Sequence, residues 1–139
     1  MKRAVARRRR GYEHEVEIRD HHLIVDEPEE NGGTDQGPTP GELLAASLAT
    51  CTAITIEMYA DRKEWGLGTV EVAVDYTEPT TDDPPTFDVR ITLGAELSEE
   101  TRDKIRIIAG KCPVHRALKS QDIVVRDSLE LVAQFEDED

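Results

Sequence analysis

The chain has 139 residues, 37% of them hydrophobic and 4% aromatic, and a formal net charge of −13 from 30 acidic and 17 basic side chains. That length points to one domain, and the lean apolar content points to burial gained by pairing with a second copy. Such acidity argues against a nucleic-acid surface, because that kind of binding rests on phosphate neutralisation.

Residues 1–10, MKRAVARRRR, hold six of the basic side chains, and without them 11 basic face 30 acidic residues, a balance of −19. No aromatic side chain interleaves the arginines as a base-stacking surface would require, so 1–11 reads as a solvated, disordered arm. A single domain is expected over 12–135, with an acidic tail at 136–139. GYEHEVEIRDHH, which follows the arm, is no signal-peptide core. The longest apolar run, LLAASLATCTAITIEMYA (43–60), contains Glu57. A carboxylate at a bilayer centre costs roughly 2.5 to 3.5 kcal/mol, so a cytoplasmic protein with no membrane partner is expected. In that compartment the two cysteines are left for buried thiols, a metal site or redox chemistry.

YEHEVEIR (12–19) alternates, with Tyr12, His14, Val16 and Ile18 opposing Glu13, Glu15, Glu17 and Arg19, as a half-buried strand does. DHHLIV (20–25) is its hairpin partner, with His21-His22 as the hairpin turn, and an acidic, glycine-rich loop spans 26–39. Thr39-Pro40-Gly41-Glu42 has capping-box spacing and proline at the first helical position, so a helix starts there. It runs to about Lys63 and is apolar nearly all round, as a buried central helix is. Alternation at 70–76 and 87–93, across a proline-rich loop, predicts an antiparallel pair. A second helix starts at Ser98, with Glu99 and Glu100 at the positive end of its dipole. Pro113 starts a short third helix to about Lys119, and strands are expected at 122–126 and 129–135. Strands in pairs rather than alternating with helices make the fold α+β with mainly antiparallel sheet.

Cys112 falls at the N-cap of the third helix, where free N–H groups favour a thiolate, with Lys111, His115 and Arg116 adjacent. A buried apolar cysteine beside Ile105 and Ile108 is the plain alternative. Cys51, mid-helix on a stripe with Leu44, Leu48, Thr55 and Met58, reads by itself as a core thiol. Both thiols nevertheless lie on the apolar faces of interior helices, and a reactive cysteine gains a resolving partner if those helices cross there. A zinc site is the competing use: Cys112 and His115 with Cys51 and one of His14, His21 or His22 would make four scattered ligands. Glu42 is accounted for as a cap.

GPTPGELLAASLATCTAITIEMYA, followed about 60 residues later by IIAGKCPVHRAL, resembles the OsmC/Ohr family of osmotically induced and organic hydroperoxide resistance proteins. The resemblance covers about Tyr12 to Phe135. It implies an α+β, intertwined homodimer whose long central helices are wrapped by antiparallel sheet, with active sites at the dimer interface. It further implies a thiol peroxidase acting on organic hydroperoxides, with Cys51 peroxidatic and Cys112 resolving. An external dithiol would restore both thiols, and no metal or organic cofactor would be needed. In that family a glutamate directly follows the helix-starting proline and works with an arginine from near the N-terminus. Here Gly41 follows Pro40, and the acid, Glu42, sits about 100° further round the helix. Glu42 and His115 are the supporting candidates, with Arg19 as the candidate arginine. The implied alternative on the same scaffold is a non-catalytic redox sensor or a binder of small hydrophobic ligands.

Overall fold

The computed structural model describes residues 1–132. Three strands, β1 (Val5–Arg10), β2 (Glu13–Ile18) and β3 (His21–Val25), form one antiparallel sheet in that order. The long helix α1 (Pro40–Lys63) follows, then the antiparallel pair β4 (Val70–Thr77) and β5 (Thr86–Leu93), and the helices α2 (Glu99–Ala109) and α3 (Pro113–Lys119). This is the α+β architecture expected.

The basic arm is not disordered: residues 5–10 are strand β1. Its ladder to β2 sets arginines against glutamates, with Arg7 opposite Glu15 and Arg10 opposite Glu13. Arg7 reaches Glu17 at 2.9 Å, and that hydrogen bond and charge hold the Glu17 carboxyl below its usual range. Arg9 and Arg10 converge on Glu13 at 3.3 and 3.9 Å. Glu13 is thereby buried, on the face that alternation assigns to solvent. The turn after β2 is Arg19-Asp20, so His21 and His22 open β3 rather than form the turn.

The acidic loop is anchored by one residue. Buried Asp26 accepts the N–H groups of Glu27, Thr34 and Gln36 at 2.7, 3.3 and 3.0 Å and the Thr34 hydroxyl at 2.9 Å. Those donors, the Gln36 N–H foremost, hold its carboxyl below the usual range against the opposing effect of burial. Gly37 passes so close to the Ile24 carbonyl that a Cβ would lie 2.1 Å from its oxygen. The loop thus delivers Thr39 to the start of α1, where Glu42 N–H donates to Thr39 Oγ1 at 3.1 Å and Thr39 N–H to Glu42 Oε1 at 2.8 Å. Such a cap is worth about 1 kcal/mol.

α1 buries Leu48, Thr52, Ile56 and Ala60, which recur every fourth residue. Ile56 and Ala60 join Leu67, Ile105 and Ala109 in the core, with Ile91, Leu93 and Trp65 packed against it. Tyr76 and Phe87 stack across the β4–β5 ladder, with ring centroids 4.5 Å apart. α1 is long and apolar enough to pass for a membrane span by length and hydropathy, yet here it packs on β4, α2 and α3. The segment expected as strand at 122–126 is not strand, nor is 129–132. The second alternates at Leu129, Glu130 and Leu131 and the first is an apolar run, Ile123, Val124 and Val125, but neither pairs with a described strand, and Val125, Leu129 and Leu131 are exposed. The rest of the second segment and the acidic tail lie outside the described residues.

Candidate active site: two thiols at a helix junction

Pro113 ends the hydrogen bonding of α2 and starts α3, leaving Cys112 as the N-cap. The His115 N–H donates to Cys112 Sγ at 3.4 Å, so a sulfur stands where an oxygen usually caps a helix. Cys112 is 0% exposed. α3 packs against α1, and this sets the Cys112 thiol against that of Cys51, which stays half-buried. Both cysteines are free thiols.

Burial raises Cys51 above the ordinary thiol range, and the adjoining Cys112 thiol adds to the rise. Two donors oppose it: the Val114 N–H at the start of α3 and the Thr55 hydroxyl.

The other candidates sit elsewhere or act differently. His115 contributes its main-chain amide to Cys112. Glu42 is committed to the Thr39 cap, nine residues and about 13 Å along α1 from Cys51 at 1.5 Å per residue. A side chain grown from Gly41 would meet the Glu78 carboxylate at 3.4 Å and the Tyr76 ring at 3.6 Å. Arg19 lines an open cleft of about 970 Å³ with residues of the N-terminal arm, and no cysteine borders it. His14 Nδ1 is 2.8 Å from the Tyr12 carbonyl, and His22 lies 3.0 Å from Glu15. Among the described residues no three His, Cys, Asp or Glu side chains converge as ligands, so the scattered zinc set does not assemble.

Sequence reasoning passed over Val114 and treated Thr55 only as part of an apolar stripe. Thr55 was findable, because it lies one turn after Cys51 on the same face. A backbone donor such as Val114 leaves no signal in residue type.

Ile54 and Met58 also flank Cys51, at the third and seventh positions after it, and are 43% and 63% exposed. The accessible thiol therefore sits beside an uncovered apolar stripe.

Three solved structures share this fold. A candidate osmotic stress induced and detoxification response protein from Psychrobacter arcticus is 23% identical, with a TM-score of 0.74 over 84% of this chain and 87% of its own. The OsmC-like protein of Mycoplasma pneumoniae is 18% identical, with a TM-score of 0.74 over 87% and 89%. The organic hydroperoxide resistance protein OsmC of Legionella pneumophila is 22% identical, with a TM-score of 0.64 over 86% and 89%. No curated protein matches the chain significantly. The sequence profile of OsmC-like proteins matches residues 33–126, from the loop before α1 through Cys51 and Cys112 to the segment after α3, and on that match the chain belongs to the OsmC-like protein family.

Proposed function

We propose that this protein reduces organic hydroperoxides with a pair of thiols, as a cytoplasmic homodimer recharged by an external dithiol and using no cofactor. One observation carries the reading: two free thiols from remote parts of the chain meet, one half-exposed and the other sealed beside it. The accessible Cys51 is suited to meet substrate and the sealed Cys112 to resolve. The Cys51 thiolate attacks the terminal oxygen of the hydroperoxide, the O–O bond breaks, and an alcohol leaves after taking a proton. Cys51 is then a sulfenic acid. Cys112 attacks its sulfur, water leaves, and a disulfide forms. A dithiol restores both thiols by exchange and is itself oxidised to a disulfide. The uncovered stripe of Ile54 and Met58 supports both the preference for an apolar peroxide and the pairing with a second copy, since such a face beside a site marks a contact surface.

Stopped-flow oxidation with cumene hydroperoxide tests this. Cys51→Ser should abolish the fast reaction. Cys112→Ser should keep one rapid oxidation and then stall as a sulfenic acid that a dimedone probe captures. Peroxide consumption by Cys51→Ser at the wild-type rate would overturn the assignment.

A second reading has an observation of its own. Burial and the neighbouring thiol push Cys51 toward its protonated, unreactive form, which suits a non-catalytic binder of small hydrophobic ligands. Slow peroxide turnover beside tight binding of an apolar ligand would decide for it.

A further inference from the structure

We propose that the cleft at the start of β1 is a binding site for a small organic phosphate, held by Arg3 and Arg19 with Lys2 beside them. No cysteine borders the cleft, so this is a second site, independent of the thiols.

The cleft of about 970 Å³ is lined by Lys2, Arg3, Arg7 and Arg19 against one carboxylate, Glu17, a local balance of +3 on a chain whose net charge is −13. The fold has already used the nearby acids. On β2, Glu13 holds Arg9 and Arg10 at 3.3 and 3.9 Å, Glu15 lies 3.0 Å from His22, and Glu17 takes Arg7 at 2.9 Å. Arg8 donates to the Gly11 carbonyl at 2.9 Å. Lys2, Arg3 and Arg19 make no ion pair among the described residues. The ladder explains how they gather. Val5 pairs with Glu17, and two residues further on the same register would set Arg3 opposite Arg19, where like charges repel. The ladder ends at Val5 instead. Arg19 is a turn residue with a φ of 53°, a left-handed backbone that a long side chain rarely adopts. An anion between these cations supplies the partner that the chain itself does not.

The lining selects the ligand. A guanidinium is a planar fork that takes two phosphate oxygens at once, and several cations call for more than one negative charge. Val5 and Ile18 add apolar wall for a carbon body, and the volume is that of small-molecule sites, about 300 to 1,000 Å³. No aromatic side chain lines the cleft, so it offers no platform for a stacked nucleobase. The net charge of −13 opposes approach to an anionic bilayer, which leaves a soluble ligand.

The test titrates inorganic pyrophosphate into the full chain by calorimetry at one fixed salt concentration. Wild type should show saturable binding. Arg3→Gln and Arg19→Gln should each weaken it by roughly tenfold, the worth of one hydrogen bond between charged groups. Arg3 precedes β1 and Arg19 lies in a turn, so the urea midpoint should hold in both variants. Arg8→Gln removes the same charge from β1 outside the cleft and should bind as wild type does. Absence of saturable binding overturns the proposal, as does wild-type affinity in the Arg3→Gln, Arg19→Gln double variant. An equal loss in Arg8→Gln overturns it in favour of bulk charge. Sedimentation with phosphatidic acid vesicles, without pyrophosphate binding, overturns it in favour of a membrane surface.

Discussion

Cys51 and Thr52 are neighbours on α1 with opposite surroundings. Cys51 is half-buried beside a second thiol, whereas the Thr52 hydroxyl, on a side chain 1% exposed, has no hydrogen-bond partner among the described residues. An unsatisfied buried hydroxyl costs about 1 to 3 kcal/mol, and a second copy could not reach one so enclosed. Thr52→Val, nearly the same shape, should stabilise the protein by about 1 kcal/mol, seen as a higher urea midpoint at unchanged slope. The raised Cys51 value has a kinetic and a thermodynamic sign. Because the thiolate is the nucleophile, the second-order rate with hydroperoxide should keep climbing as pH passes the ordinary thiol value of about 8.5, with no plateau below it. The folded state holds its proton longer than the unfolded chain does. This contribution to stability is therefore intact below about 8.5 and lost as pH rises through the higher folded value. A rate plateau near neutral pH would show that something further, such as a partner residue, lowers the thiol.

Elements were legible where a local rule dictates them. Thr39, Pro40 and Glu42 fix the start of α1 within one turn of chain, and Cys112-Pro113 marks the junction of α2 and α3. Alternating valines foretell β4. What failed was non-local. VARRRR has no alternating apolar face, so nothing in it announces a strand. It becomes β1 because Glu13 and Glu17 on β2 stand within reach. The segments from 122 onward err the other way, with apolar residues that suit a strand but no pairing to any described strand. The meeting of Cys51 with Cys112 belongs to this class too, because it depends on how α3 lies across α1, and spacing does not encode a crossing. The loop at 26–39 looked loose from its glycines and acids, yet Asp26 organises it. Asp26→Asn replaces an acceptor oxygen with a donor group facing other donors, so it should lower the melting temperature at neutral pH. The held-down Asp26 carboxyl stabilises the fold above its unfolded value of about 3.9 and ceases to as pH falls through the lower folded value. The gap in melting temperature between variant and wild type should therefore close in acid, a comparison scanning fluorimetry can make.

At the scale of the whole molecule, burial is lopsided. α1 is apolar on most sides but covered on one, by β4, α2 and α3. In the proposed homodimer Ile54 and Met58, on its open side, would meet the second copy, and Ile54→Lys with Met58→Lys should then leave a monomer by light scattering while β4 and α2 keep their packing. Retention of the dimer in that variant would place the interface elsewhere. Charge is as unevenly shared. Residues 1–19 carry seven basic and three acidic side chains, a balance of +4, while the remainder carries 10 basic and 27 acidic, a balance of −17. With β1 at the rim of its sheet, that segregation gives the molecule a permanent electric dipole. In dilute buffer the like net charges of two such bodies, −13 each, hold them apart, and their encounter rate should rise as added salt shortens the reach of that repulsion to about 8 Å at physiological ionic strength.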